Sequence, residues 1–214
     1  LGTFMMIEGS SAPFITEVRG FNGYLTPRYS VDLPDWKETA IFEFDKKDIR
    51  SFSVSYKNFP ENSFILTNEN GKFSVSAFAN DSKGETVPSD SIAVNNFLML
   101  FESLNIETWI KDMSKGKQDS ITAFPPAITV TMKTMKDSVI SIKLYPMPLS
   151  ANSLTQTDEN GNKLKYDLDK MYGIVEPGTI WVTVQHFNFD RILRRLIDFD
   201  SRKNKGLKQV PPSL

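Results

Sequence analysis

Apolar and polar residues alternate with a period of two through much of this chain. In SFSVSY (51–56), Phe52, Val54 and Tyr56 fall on one side and serines on the other. FSVSA (73–77) repeats the pattern with Phe73, Val75 and Ala77. ITVTM (128–132) and ISIKL (140–144) do the same. Side chains alternate across a pleated strand, so these runs predict strands buried on one face, the habit of antiparallel sheets. NENGK (68–72) and DENGNK (158–163) carry an Asn-Gly pair between such runs. Asn and Gly enter positive φ at low cost, which predicts hairpin tips; the acids there are read as turn formers rather than cation ligands.

Two stretches follow a helical period instead. In 92–104, Val94, Phe97, Leu98, Phe101 and Leu104 line one face, with Asp90 or Ser91 as the cap. In 189–198, Phe189, Ile192, Leu193, Leu196 and Ile197 form a stripe, with Asn188 as the cap. The fold class expected is α+β: antiparallel sheets built from hairpins, an amphipathic helix packed on each unit, and two related lobes. Residues 1–112 are expected to form the first lobe, 113–126 a linker or exposed loop, 127–200 the second lobe and 201–214 a basic, mobile tail.

The two-lobe expectation rests on an internal echo. Residues 6–25 read MIEGSSAPFITEVRGFNGYL and residues 174–193 read IVEPGTIWVTVQHFNFDRIL. Each has a short apolar strand ending in glutamate (Glu8, Glu176), a Gly/Pro turn, a second strand ending in Val18 or Val184, and then a Phe-Asn pair. The second copy is preceded by strands at 128–133 and 139–145, the first by none, so strands upstream of residue 4 are expected to complete it. His186 occupies the place of Gly20, as a strand-to-helix junction would have it.

Composition narrows the chemistry. The chain has 214 residues, 25 Lys and Arg against 26 Asp and Glu, a net charge of −1 and 16 phenylalanines. A whole-molecule nucleic-acid coat would need a basic excess. There is no cysteine and one histidine, which excludes disulfides, thiolate nucleophiles and the usual Cys/His metal sites. No cofactor and no metal is expected. No apolar run reaches the roughly 18 residues of a membrane helix. The chain begins at Leu1, so any signal peptide or lipid anchor is expected upstream.

Individual residues point weakly to function. His186 would need an acid and a nucleophile beside it, and no G-x-S-x-G elbow exists. Arg191, Arg194 and Arg195, followed by Arg202, Lys203, Lys205 and Lys208, make a basic stretch: a patch for an acidic partner or anionic lipid, or a solvated helix end. Asp167 and Asp169 are a carboxylate pair in an expected turn. Trp181 faces away from Ile180, Val182 and Val184, either covered by the final helix or exposed as a stacking platform. Trp36 is expected to plug a sheet edge. No phosphate-binding glycine loop is present, and no catalytic, cofactor or metal residue is assigned. The candidate interaction surface is Arg191, Arg194, Arg195 and Trp181.

GYLTPRYSVDLPDWKETAIFEFDKKDIRSFSVSY (23–56), followed by SFILTNENGKFSV (63–75) and later by DLDKMYGIVEPGTIWVTVQHFNFDRIL (167–193), resembles the domain-of-unknown-function 4340 family across most of residues 4–199. The early MMIEGSSAPFITEVRGFNGYL looks most like the Bacteroidetes versions. The resemblance implies a bacterial envelope protein, held by an N-terminal helix or lipid anchor and encoded beside ABC transporter components of the gliding-motility type. It implies no activity and no catalytic residue. The expected function is thus a non-enzymatic, periplasm-facing envelope module that binds a protein partner or serves a transport complex. The alternatives are a small-ligand or glycan binder using exposed aromatics, and a hydrolase built on His186.

Overall fold

The structure is a computed structural model that describes residues 3–18, 24–25, 29, 38–79, 81–102 and 104–202. Two compact units divide the chain, residues 1–38 and 39–214. In the first, β1 (Thr3–Met5) and β2 (Phe14–Thr16) form an antiparallel hairpin with Thr3 opposite Thr16. Gly9 takes a positive φ of 84° in the connection. The Leu25 N–H donates to Thr3 Oγ1 at 2.6 Å, holding the following chain to the strand.

The second unit is built on one antiparallel sheet of nine strands. They are β4 (Ile49–Tyr56), β5 (Phe64–Glu69), β6 (Lys72–Ala79), β7 (Ser82–Val87), β9 (Thr108–Trp109), β10 (Ile128–Thr134), β11 (Val139–Pro148), β12 (Tyr166–Glu176) and β13 (Ile180–Gln185). Their spatial order is β7-β6-β5-β4-β10-β11-β12-β13-β9. The Asn-Gly tip joins β5 to β6 as expected, with Asn70 at φ 54° and Gly71 at φ 86°, both in the left-handed region a tight hairpin requires. A further two-stranded pair, β3 (Ala40–Phe42) with β8 (Leu104–Asn105), lies apart from the main sheet.

Period-2 alternation sends Phe52, Val54, Phe64, Leu66, Val75, Val130, Met132, Ile142, Leu144, Val182 and Val184 to one buried face. Phe42, Val94, Phe97, Leu98, Phe101, Phe189, Ile192, Leu193 and Phe199 complete that core. Phe52 is its hub, with ring centroids 4.4 Å from Phe101, 5.5 Å from Phe97, and 6.4 Å from both Phe42 and Phe64. The opposite face is hydroxyl-rich in the middle strands, where Ser53, Thr131 and Ser141 lie in register. At the β11–β13 end it turns apolar, with Tyr145, Tyr172, Ile174 and Trp181 in a second, smaller cluster.

Three short helices occur among the described residues: α1 (Ser91–Leu98), α2 (Lys115–Thr122) and α3 (His186–Phe189). Strands make up 44% and helices 18%, so the fold is mostly β and the α+β expectation is corrected. The physical reason lies in the two apolar stripes. The first forms a helix of only eight residues, capped by Asp90 Oδ1 on the Ile92 N–H at 2.8 Å, then tightens into a 3-10 turn at Met99–Glu102. The second is helical only over His186–Phe189, with Gln185 rather than Asn188 at its cap. Arg195 then takes an extended conformation, and a second tight turn forms at Leu196–Asp198. Phe189, Ile192 and Leu193 of the stripe are buried, Leu196 and Ile197 are half-buried, and Phe199 beyond the stripe joins the core.

The expected division at 113–126 is not where the chain divides. Antiparallel pairing of β4 with β10, Phe52 opposite Met132 and Val54 opposite Val130, fuses the strands before and after that segment into one sheet. The segment itself carries α2, whose Ile121 packs against the Trp181 cluster. The echo survives as two antiparallel hairpins, β1–β2 and β12–β13, but they differ in length, and Glu8 sits in the turn. Arg19–Asn22, Trp36 and the tail beyond Arg202 lie outside the described residues.

Gly173 of β12 shows how tightly the core face is packed. A Cβ there would stand 2.7 Å from Val182 Cγ2 and 2.9 Å from Ile142 Cδ1, both on fully buried side chains. Gly173→Ala is therefore expected to destabilise the fold by about 1–3 kcal/mol, as overpacked cores do. The urea midpoint measures it; an unchanged midpoint would show that β12 and β13 separate freely.

Candidate functional site

The stretch from His186 to Arg202 gathers the one histidine, four arginines and three aspartates. Its apolar side chains pack into the core, Ser201 N–H and Oγ donate to the Pro88 carbonyl oxygen at 2.9 and 3.0 Å, and Tyr56 holds its middle. Tyr56, at the end of β4 and 3% exposed, donates its hydroxyl to the Arg194 carbonyl oxygen at 2.8 Å. Burial, with Asp198 and Asp190 nearby, pushes this phenol far above the usual tyrosine range. The hydroxyl stays protonated and donating throughout ordinary conditions.

Most charges of the segment are spent on each other. Asp198 accepts from the Arg195 N–H at 2.9 Å and from its guanidinium at 2.9 Å, closing the turn. That pairing raises the Arg195 pKa above its ordinary value. Asp200 takes Arg202 in a fork, with Nη2 at 2.8 Å and Nε at 3.0 Å, which raises that group as well. His186 Nδ1 lies 3.1 Å from Asp190 Oδ1, one helical turn away. This contact ties the first residue of α3 to the residue that follows the helix.

Arg191 and Arg194 are arranged differently. Arg191 is exposed. Arg194 Nε donates to the Arg191 carbonyl oxygen at 3.1 Å, which leaves the rest of its guanidinium without an acidic partner among the described residues. It lines a cleft of about 240 Å³ with Ala93, Asn96, Phe97, Leu100, Asp198 and Phe199. On the other side of the turn, Arg195 and Arg202 line a cleft of about 440 Å³ with Glu61, Glu85, Val87, Leu196 and Ile197. A third cleft, of about 330 Å³, lies away from this segment between Ser55, Lys57, Phe78, Pro125, Pro126 and Thr129.

Trp181 departs from the expected surface. It is 7% exposed and packs with Tyr145, Tyr172 and Ile174 on the far face of the sheet, beside Ile110, Met113 and Ile121. It is covered, but by the α2 region instead of the final helix, and it offers neither a stacking platform nor an interaction surface. Of the four residues expected at that surface, the structure exposes Arg191, leaves Arg194 half-buried at a cleft, ties Arg195 to Asp198 and buries Trp181.

Asp158, Asp167 and Glu176 are held by their neighbours. Hydrogen bonds from Asn162 and Asn160 lower the Asp158 carboxyl and close the DENGNK tip. Burial pushes Asp167 up, but Ser153 and the Asp169 and Lys170 N–H groups outweigh it and hold the carboxyl below its usual range. Glu176 is lowered by Lys143 at 2.7 Å and by Ser141 at 3.1 Å. Among the described residues no three His, Asp or Glu side chains group as a metal site would need, and no helix is long and apolar enough to cross a membrane.

Two groupings escaped the sequence. The wall formed by Ala93, Asn96 and Leu100 with Phe199 joins residues about a hundred positions apart, and only the flank of the 92–104 stripe hinted at it. Glu107 Oε1 accepts from Lys170 Nζ at 2.6 Å and from Gln185 Nε2 at 3.2 Å, tying β9, β12 and β13 together. Nothing in the local pattern around Glu107 signals that pairing.

No family model matches the chain, and no curated protein or solved structure matches it either. The likeness to the domain-of-unknown-function 4340 family therefore rests on the quoted residues alone.

Tyr56→Phe is expected to cost about 0.5–1.5 kcal/mol by removing the bond to Arg194. It also carries a pH signature. In the unfolded chain the phenol ionises near pH 10, and in the fold only at higher pH. Above about pH 10 the unfolded state thus releases the proton first, and stability falls as pH rises. The variant should lose part of this alkaline decline in urea melts from pH 8 to 11; an identical decline would assign it to other groups.

Proposed function

We propose that this chain is a non-enzymatic partner-binding module of the bacterial cell envelope, serving as an accessory to an ABC-type transport complex. The envelope setting, the upstream anchor and the transporter partner come from the resemblance of residues 4–199 to the domain-of-unknown-function 4340 family. The observation that carries the binding role is the 186–202 segment. Its apolar side chains and Tyr56 fix it to the sheet, its acids are engaged by neighbouring basic groups, Arg191 is exposed and Arg194 lines a cleft. Charges tied this way make a rigid surface rather than a set of reactive groups converging on one point.

The small-ligand or glycan alternative finds support in a different place from Trp181. The 330 Å³ cleft sets the hydroxyl-bearing Ser55, Ser63 and Thr129 beside the Phe78 ring and two prolines, a mixture of polar and apolar lining that suits a small polar ligand. The hydrolase alternative has the acid it needs in Asp190, 3.1 Å from His186 Nδ1, and no further observation favours it.

Affinity capture from envelope membranes with the full chain tests the leading reading. An Arg191→Glu/Arg194→Glu variant should keep the wild-type melting temperature and recover its main partner at least about tenfold less well, as reversal of interface charges does. Equal recovery by both proteins would remove the basic surface from the account.

A further inference from the structure

A cleft opens between α1 and the turn at Leu196–Asp198. Its floor is aromatic and aliphatic, from Phe97, Phe199 and Leu100. Phe97 and Phe199 stack edge to face with centroids 5.2 Å apart, so the floor belongs to the core and is rigid. Ala93 and Asn96 form the α1 wall, both short side chains that let another backbone approach. Ile92 and Met99, seven residues apart on one side of α1 and its cap, stand 69% and 61% exposed. Arg194 closes the opposite rim.

Volume and charge together select an occupant. At about 240 Å³ the cleft lies below the roughly 300–1,000 Å³ of small-molecule sites. Yet an apolar cavity of about 150 Å³ already admits a benzene ring. One large apolar side chain therefore fits, and a long acyl chain or a nucleotide does not. Among the described residues Arg194 has no acidic partner at the cleft, whereas Asp198, which also lines it, is held by Arg195. A carboxylate beside the anchor would find a planar fork of donors there. The larger cleft on the other side of the turn has no such preference: its arginines are paired with Asp198 and Asp200, and Glu61 and Glu85 line it too.

We infer that this groove binds an acidic polypeptide segment of a partner, inserting one large apolar side chain over Phe97 and Phe199 while a neighbouring carboxylate meets Arg194. The inference rests on the partner-binding reading and adds where the partner docks and what chemistry it presents. An anchor seated in a well-packed pocket beneath a charged rim is the arrangement that concentrates binding energy in few residues. The exposed Ile92 and Met99 supply further apolar contact to a segment lying along α1.

The probe is a short synthetic peptide with a central phenylalanine flanked by glutamates, added to the ¹⁵N-labelled full chain and followed by amide shifts. Saturable shifts are expected at Ala93, Asn96, Leu100 and Phe199. A matched peptide with lysines for glutamates, one with alanine for phenylalanine, and an Arg194→Glu chain should each bind at least about tenfold more weakly. Ala93→Trp, on an open helix flank, fills the groove and should abolish the shifts with an unchanged melting temperature. No saturable shift, equal binding of the glutamate and lysine peptides, or retained binding by Ala93→Trp would overturn the inference. The two readings also fail separately. If the Ala93→Trp chain captures the envelope partner as well as wild type does, the groove is wrong and partner binding stands. If the peptide binds the groove but the wild-type chain captures nothing from envelope membranes, the envelope reading is wrong and the groove stands.

Discussion

Burial of Phe52 among Phe42, Phe64, Phe97 and Phe101 is the contact on which the second unit depends. Those five rings come from β3, β4, β5, α1 and the turn after it, elements that span sixty residues of chain. Offset and edge-to-face aromatic contacts add to the large apolar area each ring withdraws from water. Removing any one of them would leave a void lined by the others, because an interior packed this densely relaxes only partly. Phe199 joins through Phe64 and Phe97, so the same cluster anchors the charged segment that follows β13.

That link explains why the candidate surface is rigid although it contains little regular structure. Residues 190–202 are mostly turns, and turns at a surface are ordinarily among the more mobile parts of a protein. Here Ile192, Leu193 and Phe199 are sunk in the core, and Tyr56 binds the Arg194 carbonyl oxygen from beneath. The aspartates then neutralise the arginines closest to the turn. Arg202 reaches solvent as well but is held by Asp200; among the described residues Arg191 and Arg194 are the arginines of the segment for which no acidic partner is seen.

The far face of the sheet follows a different rule. Its middle strands carry serines and threonines, and only the end near β13 is apolar enough to require a cover, which α2 provides. The sheet also ends at β7, whose residues 82–87 are mostly exposed. Lys83 and Glu85, with the irregular register of β6 near Ala77, make that edge a poor template for indiscriminate strand addition.

The alternation in 51–56, 73–77, 128–132 and 140–144 determined the strands, their buried sides and the Asn-Gly hairpin, because a period of two and a positive-φ turn are local properties. The spacing in 189–198 marked Phe189, Ile192 and Leu193 for burial, though not that turns would replace most of the helix and leave Leu196 and Ile197 half-buried: spacing of three and four residues suits both. Pairing of β4 with β10 was invisible, since register between strands seventy residues apart is chosen by which faces match across the whole sheet. The same holds for the site. Arginines can be counted in a sequence, and Arg195 meets Asp198 within its own turn, but Arg194 became the rim of a groove only because tertiary packing set Phe97 and Tyr56 around it. Charge acts through distance, and distance between remote residues exists only in the fold.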